Sequence, residues 1–143
     1  NNQERTARKS SKDFSRHDVS VYGVLKPSLP KRHVMFHAVK TLCEHGADPA
    51  KVAELIEWRS NRMFFVVDGK CSSEQFIKAA TGQSEMNGKT FNQTRWFCDQ
   101  DELIFYDGRT YAFSNQWGFR TLEALKILCE YFPEANITFS KSQ

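Results

Sequence analysis

Between residues 89 and 120 the chain interleaves cations with aromatic rings. Lys89, Arg95, Arg109 and Arg120 alternate with Phe91, Trp96, Phe97, Tyr111, Phe113 and Trp117, and the amides Asn92, Gln93, Asn115 and Gln116 lie among them. Such a set has a recognisable chemistry. Aromatic faces stack on nucleobases, carboxamides read base edges, and guanidinium and ammonium groups hold phosphates. Alternation along a strand limits how many of these rings can be free. Tyr111 and Phe113 share one face, while Thr110, Ala112 and Ser114 share the other, and one face must meet a core. The segment SNQWG precedes a helix start and is harder to assign wholly to packing.

No catalytic set emerges elsewhere. The phosphate-binding loops, the dinucleotide fingerprint and the nucleophile elbow are all missing from the sequence. His33 and His37 stand four residues apart on one helix face, a spacing that metal sites use, but no third ligand follows. They are expected to be an ordinary surface pair. Asp99, Asp101 and Glu102 cluster before a hairpin and read as a solvated turn. No metal site, no cofactor and no catalytic residue is therefore expected. Cys43, Cys71, Cys98 and Cys129 lie about thirty residues apart without a CxxC pair. They read as reduced structural thiols of a cytoplasmic protein.

Length and charge bound the rest. The chain has 143 residues, enough for a single domain, and 40% of them are apolar. No run is long enough for a membrane span, and no signal peptide is recognisable. Because the chain begins at Asn1 and not at Met, it reads as a trimmed chain or a piece of something longer, from which any targeting signal could be missing. Residues 1–32 hold eight Lys or Arg against three acids, a net +5, which leaves −2 for the remainder. The segment reads first as a solubilising linker; the alternative is a basic arm, which grips phosphates without reading sequence.

The elements that must position the aromatic–cationic region follow from local signals. VSVYGVLKPSLP reads as one strand ending in a proline-rich crossover. Residues 32–45 carry a helical apolar period, stopped by Gly46. Asp48 and Pro49 open a second helix as N-cap and first residue. Its outer face, with Lys51, Glu54 and Glu57, is acidic, which argues against its entering a DNA major groove. MFFVVDG reads as a buried strand, Ser72 or Ser73 caps a helix expected to end at Gly82, and Asn87-Gly88 forms a turn. TRWFCD reads as a short strand, and ELIFYDGRTYAFS is a hairpin around Asp107-Gly108. Thr121 is expected to cap the last helix, which Pro133 ends, and NITF to form a final strand. The predicted fold class is α+β. It is a single domain of about four helices on a small, mainly antiparallel sheet over residues 33–143, preceded by a basic extension over residues 1–32.

Residues 68–97, DGKCSSEQFIKAATGQSEMNGKTFNQTRWF, resemble the RAMA/DUF4357 type of domain found beside restriction and modification enzymes. Ser72 and Ser73 match that family's helix cap, Ala79, Ala80 and Gly82 its helix end, Asn87-Gly88 its turn, and Trp96 its tryptophan. The proline between the serines is absent, and the spacer to the tryptophan is longer. The resemblance implies a noncatalytic accessory domain recognising DNA, modified DNA included, within a restriction–modification or related defence system. The expected contacts are Lys89, Arg95, Arg109 and Arg120 to backbone, with Trp96, Asn115, Gln116 and Trp117 on a base-contacting surface. The alternative is a protein-interaction or oligomerisation module, with a protein partner or a second copy in place of DNA. No membrane partner is expected.

Overall fold

The computed structural model describes residues 15–60, 62–118 and 120–142. Its elements form two antiparallel sheets and four α-helices, an α+β fold. The first sheet starts with a hairpin of β1 (Arg16–Val21) and β2 (Val24–Pro30). Its turn is Tyr22-Gly23, with φ of 51° and 80°. Two successive left-handed residues make the type I′ geometry that matches strand twist. The expected single strand is thus two. The prolines do not start a crossover, because β2 is an edge strand, where missing N–H donors cost little. Near Pro27 the register shifts and Ser28 adopts φ 55°, its N–H donating to Asp18 Oδ1 at 2.9 Å. The other edge of β1 pairs with β7 (Thr138–Lys141).

That pairing revises the boundary expected at residue 32. Val19 and Val21 of β1 are fully buried in the main core, so the domain includes residues 16–32. The basic residues Arg5, Arg8, Lys9 and Lys12 lie outside the described residues.

Helix α1 (Lys31–Glu44) lies at the centre. Val34, Met35, Ala38 and Val39 are fully buried against β1 and the last helix. Helix α2 (Pro49–Leu55) begins as expected, with Asp48 Oδ1 accepting from the Ala50 N–H at 2.9 Å. A 3₁₀ turn, Glu57–Arg59, then leads into the second sheet.

In that sheet β6 (Arg109–Ser114) is central. β3 (Phe64–Asp68) pairs with one edge, and β4 (Trp96–Phe97) and β5 (Ile104–Tyr106) pair with the other. The β5–β6 turn is Asp107-Gly108, with φ of 50° and 75°, the expected type I′ hairpin. Both faces of β6 are covered. Tyr111 and Phe113 enter the main core with α1 and α4, while Ala112 packs with Val67, Phe76 and Ala80 beneath α3.

Helix α3 (Ser73–Met86) opens with a capping box, in which the Gln75 N–H donates to Ser72 Oγ and the Ser72 N–H to Gln75 Oε1. It does not stop at Gly82. Gly82 is exposed and lacks a left-handed φ, and an exposed helical glycine costs only about 1 kcal/mol relative to alanine. The left-handed residue that ends the helix is Gly88, φ 71°. Helix α4 (Thr121–Tyr131) also differs from expectation. Thr121 is its first residue, not its cap, and its hydroxyl donates back to the Gly118 carbonyl.

The core residue that joins these layers is Phe113, fully buried and in ring contact with Phe36, Phe64, Phe97 and Trp117. Phe113→Ala is expected to lose about 3–5 kcal/mol of unfolding free energy, measured by urea denaturation. Val24→Ala at the exposed start of β2 should change it by less than about 0.5 kcal/mol. Equal effects would contradict this placement of the core.

Candidate nucleic-acid interface

The register of the second sheet places two aromatic rings on the α3 side of β6. Phe65 of β3 lies opposite Ala112, and Trp96 of β4 lies opposite Ser114. Ala112 and Ser114 are small and share that face, so the flanking rings can meet above them. Phe65 and Trp96 stand 5.8 Å apart between centroids, edge to face, and Phe91 meets Phe65 at 5.0 Å in the same manner. All three are half-buried. They floor a shallow depression of about 480 Å³, rimmed by Lys89, Asn92 and Arg95. It continues past Phe65 and Ser84 into a second depression of about 350 Å³, bordered by Gln83, Asn87 and Lys89.

Local hydrogen bonds fix this rim. Asn92 Oδ1 accepts from the Thr94 N–H at 3.1 Å and from the Thr94 hydroxyl at 2.6 Å. This side-chain turn starts the 3₁₀ segment Gln93–Arg95. Asn115 holds the same segment from behind. Its N–H donates to the Arg95 carbonyl at 3.0 Å, and its Nδ2 donates to the Thr94 carbonyl at 2.9 Å. Lys89 follows the end of α3, its N–H donating to the Ser84 carbonyl at 2.9 Å. The side chains of Lys89 and Arg95 are exposed, and neither has an ion-pair partner among the described residues.

A second cluster lies where the loop after β6 crosses the 3₁₀ turn Glu57–Arg59. The Arg59 guanidinium covers the Trp117 ring at 4.7 Å, and the Arg120 guanidinium covers the Trp58 ring at 3.7 Å. Each segment thus supplies one ring and one cation to the other. Trp117 also stacks on Phe113, and its Nε1–H donates to the Ser114 carbonyl at 2.8 Å. Arg59 Nη2 donates to Ser114 Oγ at 2.9 Å. Burial, reinforced by the neighbouring charge of Arg62, pulls the Arg59 pKa down from its ordinary value. Arg120 is also held by Glu123, Nη2 to Oε2 at 2.6 Å.

The structure therefore divides the eight residues singled out from the sequence. Lys89, Arg95 and Trp96 come together around the trough. Asn115 supports it from behind, and Gln116 is exposed beside it, its side chain donating to Asn115 Oδ1. Trp117 and Arg120 belong to the cation–aromatic clasp. Arg109 is at the opposite end of β6, roughly 17 Å from Ser114 along an extended strand, beside Asp68 at 3.4 Å. Sequence reasoning missed Phe65, because FFVV reads as a uniformly buried run. It also missed Gln83 and Asn87, which enter the site only because α3 extends past Gly82. Trp58 and Arg59 were missed as well, because their pairing with Trp117 and Arg120 is a tertiary contact that no local pattern marks.

Among the described residues no group of three His, Cys, Asp or Glu side chains could hold a metal ion, and no helix is long and apolar enough to cross a membrane. All four cysteines are unpaired thiols, and burial raises that of Cys43 to about 12. The chain matches no protein family, no curated protein and no solved structure.

The clasp can be tested as a unit. Urea unfolding of Arg59→Met, Trp117→Leu and the double variant is expected to give a coupling of about 0.5–2 kcal/mol. Strict additivity would show that ring and guanidinium act independently.

Proposed function

We propose that this chain is a noncatalytic nucleic-acid-binding accessory module, and that its trough receives unpaired bases. One observation carries the reading. Two exposed cations without ion-pair partners among the described residues, Lys89 and Arg95, flank a half-exposed aromatic floor of Phe65, Phe91 and Trp96. Cations spaced along a groove follow a phosphate backbone, and aromatic faces stack on bases of any sequence. Gln83, Asn87 and Asn92 add carboxamides at the border.

The shape favours single strands over duplex. In a duplex the base faces are already stacked on one another, so a recessed aromatic floor has nothing to meet. Duplex readout instead needs an element that enters a groove, and the exposed face of α2 offers Glu54 beside Lys51. A role in restriction–modification or a related defence system, with modified bases among the ligands, rests on the resemblance of residues 68–97 alone. Arg120 and Trp117 serve the fold in this reading, and Arg109 lies too far along β6 to share a ligand with Lys89 at the trough.

Fluorescence anisotropy tests the proposal with labelled single-stranded DNA, the matching duplex and the methylated duplex. Single-stranded DNA is expected to bind most tightly, and the affinity should fall with salt. Lys89→Ala and Arg95→Ala should each reduce the log–log salt slope by about 0.7. Phe91→Ala should weaken binding by about 1–3 kcal/mol at every salt concentration. Binding no tighter than about 10⁻⁴ M at physiological salt would overturn the reading. So would a stable homo-oligomer, seen by light scattering, whose interface buries the trough.

A further inference from the structure

A second concave site lies between edge strand β2 and the outer stripe of α1, and it shares no residue with the trough. Its volume is about 460 Å³, within the range of small-molecule sites. His33, Phe36, His37 and Lys40 recur at helical spacing to form one wall, and Lys26 and Leu29 of β2 contribute the other. Leu29 and Phe36 are partly buried against the main core and give the cleft its apolar lining.

The polar groups are arranged unequally. His37 Nε2 lies 3.1 Å from the Val24 carbonyl, which can only accept, so Nε2 carries the proton. Its Nδ1 faces the Thr41 hydroxyl at 3.4 Å. His37 is thereby committed to the fold. His33 is not. Its ring leans on Phe97 at 5.1 Å, and it makes no hydrogen bond among the described residues. Burial first, then the charges of Arg32 and Arg16, lower its pKa below 6.5. His37 is also lowered, by burial and by Lys26, against the opposing Val24 hydrogen bond and Glu44.

Of the other charges facing the cleft, Lys40 pairs with Glu44 at 2.7 Å and His45 stacks on Tyr22 at 3.7 Å, while Asp101 is an exposed carboxylate on the lining with no cation partner among the described residues, which opposes an anion on its side of the cleft. Arg16 donates to the Ser28 carbonyl at 3.0 Å. Lys26 and Arg32 are exposed cations with no carboxylate partner among the described residues.

We propose that this cleft binds a small organic anion, a carboxylate or phosphate ester bearing an aromatic or aliphatic body. The body lies against Phe36 and Leu29, and the oxyanion is held by Lys26 and the ring N–H of His33. A neutral imidazole among cations gains a proton most readily when an anion arrives, because the new negative charge offsets the repulsion that kept it neutral. Binding therefore takes up a proton at His33, and affinity rises as pH falls from 7.5 towards 6, provided the ligand stays ionised.

NMR of the histidine ring signals tests this, with benzoate, phenyl phosphate and inorganic phosphate as probes. Benzoate or phenyl phosphate is expected to shift the His33 signals saturably, with a Kd of about 1 mM or tighter, and to raise the His33 pKa. Lys26→Ala, at an exposed position, should weaken binding about tenfold, the loss of roughly 1.4 kcal/mol. Lys89→Ala should leave it unchanged, which separates this site from the trough. Absence of saturable shifts up to about 10 mM of either organic probe would overturn the proposal. Affinity insensitive to both Lys26→Ala and His33→Gln would do the same. Inorganic phosphate binding as tightly as phenyl phosphate would show that the apolar lining contributes nothing and would remove the proposed ligand class.

Discussion

Strand β6 is paired along both edges and buried on both faces, and the rest of the molecule is arranged around that constraint. A strand in this position cannot carry large side chains on both faces unless both sides have a core to receive them. Here Tyr111 and Phe113 fill the side towards α1 and α4, and the other side keeps to Thr110, Ala112 and Ser114. The hydroxyls of the small side then find backbone partners. Thr110 Oγ1 donates to the Gly69 carbonyl at 2.7 Å and accepts from the Cys71 N–H at 2.9 Å, tying the β3–α3 connection to the sheet. Ser114 Oγ takes hydrogen bonds from Arg59 and from the Gln116 N–H, tying down the loop that follows. The same small residues leave room for the rings of Phe65 and Trp96 to meet. The aromatic trough is thus a consequence of how β6 satisfies its own burial.

Charge on this protein is informative locally and misleading in bulk. The leading segment, residues 1–32, carries +5 and the remainder −2, but the folded part already begins at Arg16 within that segment, so neither sum states the charge that a ligand meets. The pairing pattern says more. Arg59 and Arg120 are spent on tryptophan rings, and Arg120, Arg109 and Lys40 also face carboxylates. Lys89 and Arg95 at the trough, and Lys26 and Arg32 beside the α1 cleft, have no such partners among the described residues. Exposed ion pairs contribute little to stability, but they do decide which cations remain available to an anionic ligand.

Features set by a few adjacent residues were legible in the sequence. Asp48-Pro49, a serine cap at Ser72 or Ser73 and the Asp107-Gly108 turn each follow from the chemistry of one or two side chains, and each is present, the cap being Ser72. Tyr22-Gly23 escaped because a tyrosine with positive φ is uncommon and two nearby prolines suggested a different reason for the chain to change direction. Gly82 was misread because glycine stops a helix only where a left-handed residue is needed, and here Gly88 fills that role. The split into two sheets was not legible at all, since the pairing of His17 with Lys141 joins opposite ends of the chain. The site shows the same division. Lys89, Arg95 and Trp96 are near neighbours in sequence and were read together. Phe65 joins them through strand register, and the exchange of rings and cations between Trp58-Arg59 and Trp117–Arg120 is set by tertiary structure.

The three tryptophans offer separate reporters on the two aromatic clusters, since Trp96 lies in the trough while Trp58 and Trp117 lie in the clasp. The most direct measurement is a two-dimensional NMR titration of the indole and backbone N–H signals with a short oligothymidylate. Stacking of unpaired bases in the trough requires progressive shifts of the Trp96 indole and of the amides from Lys89 to Arg95, with Trp58 and Trp117 nearly unmoved. Shifts confined to Trp58 and Trp117, or to the α1 cleft, or no shifts at all, would contradict it.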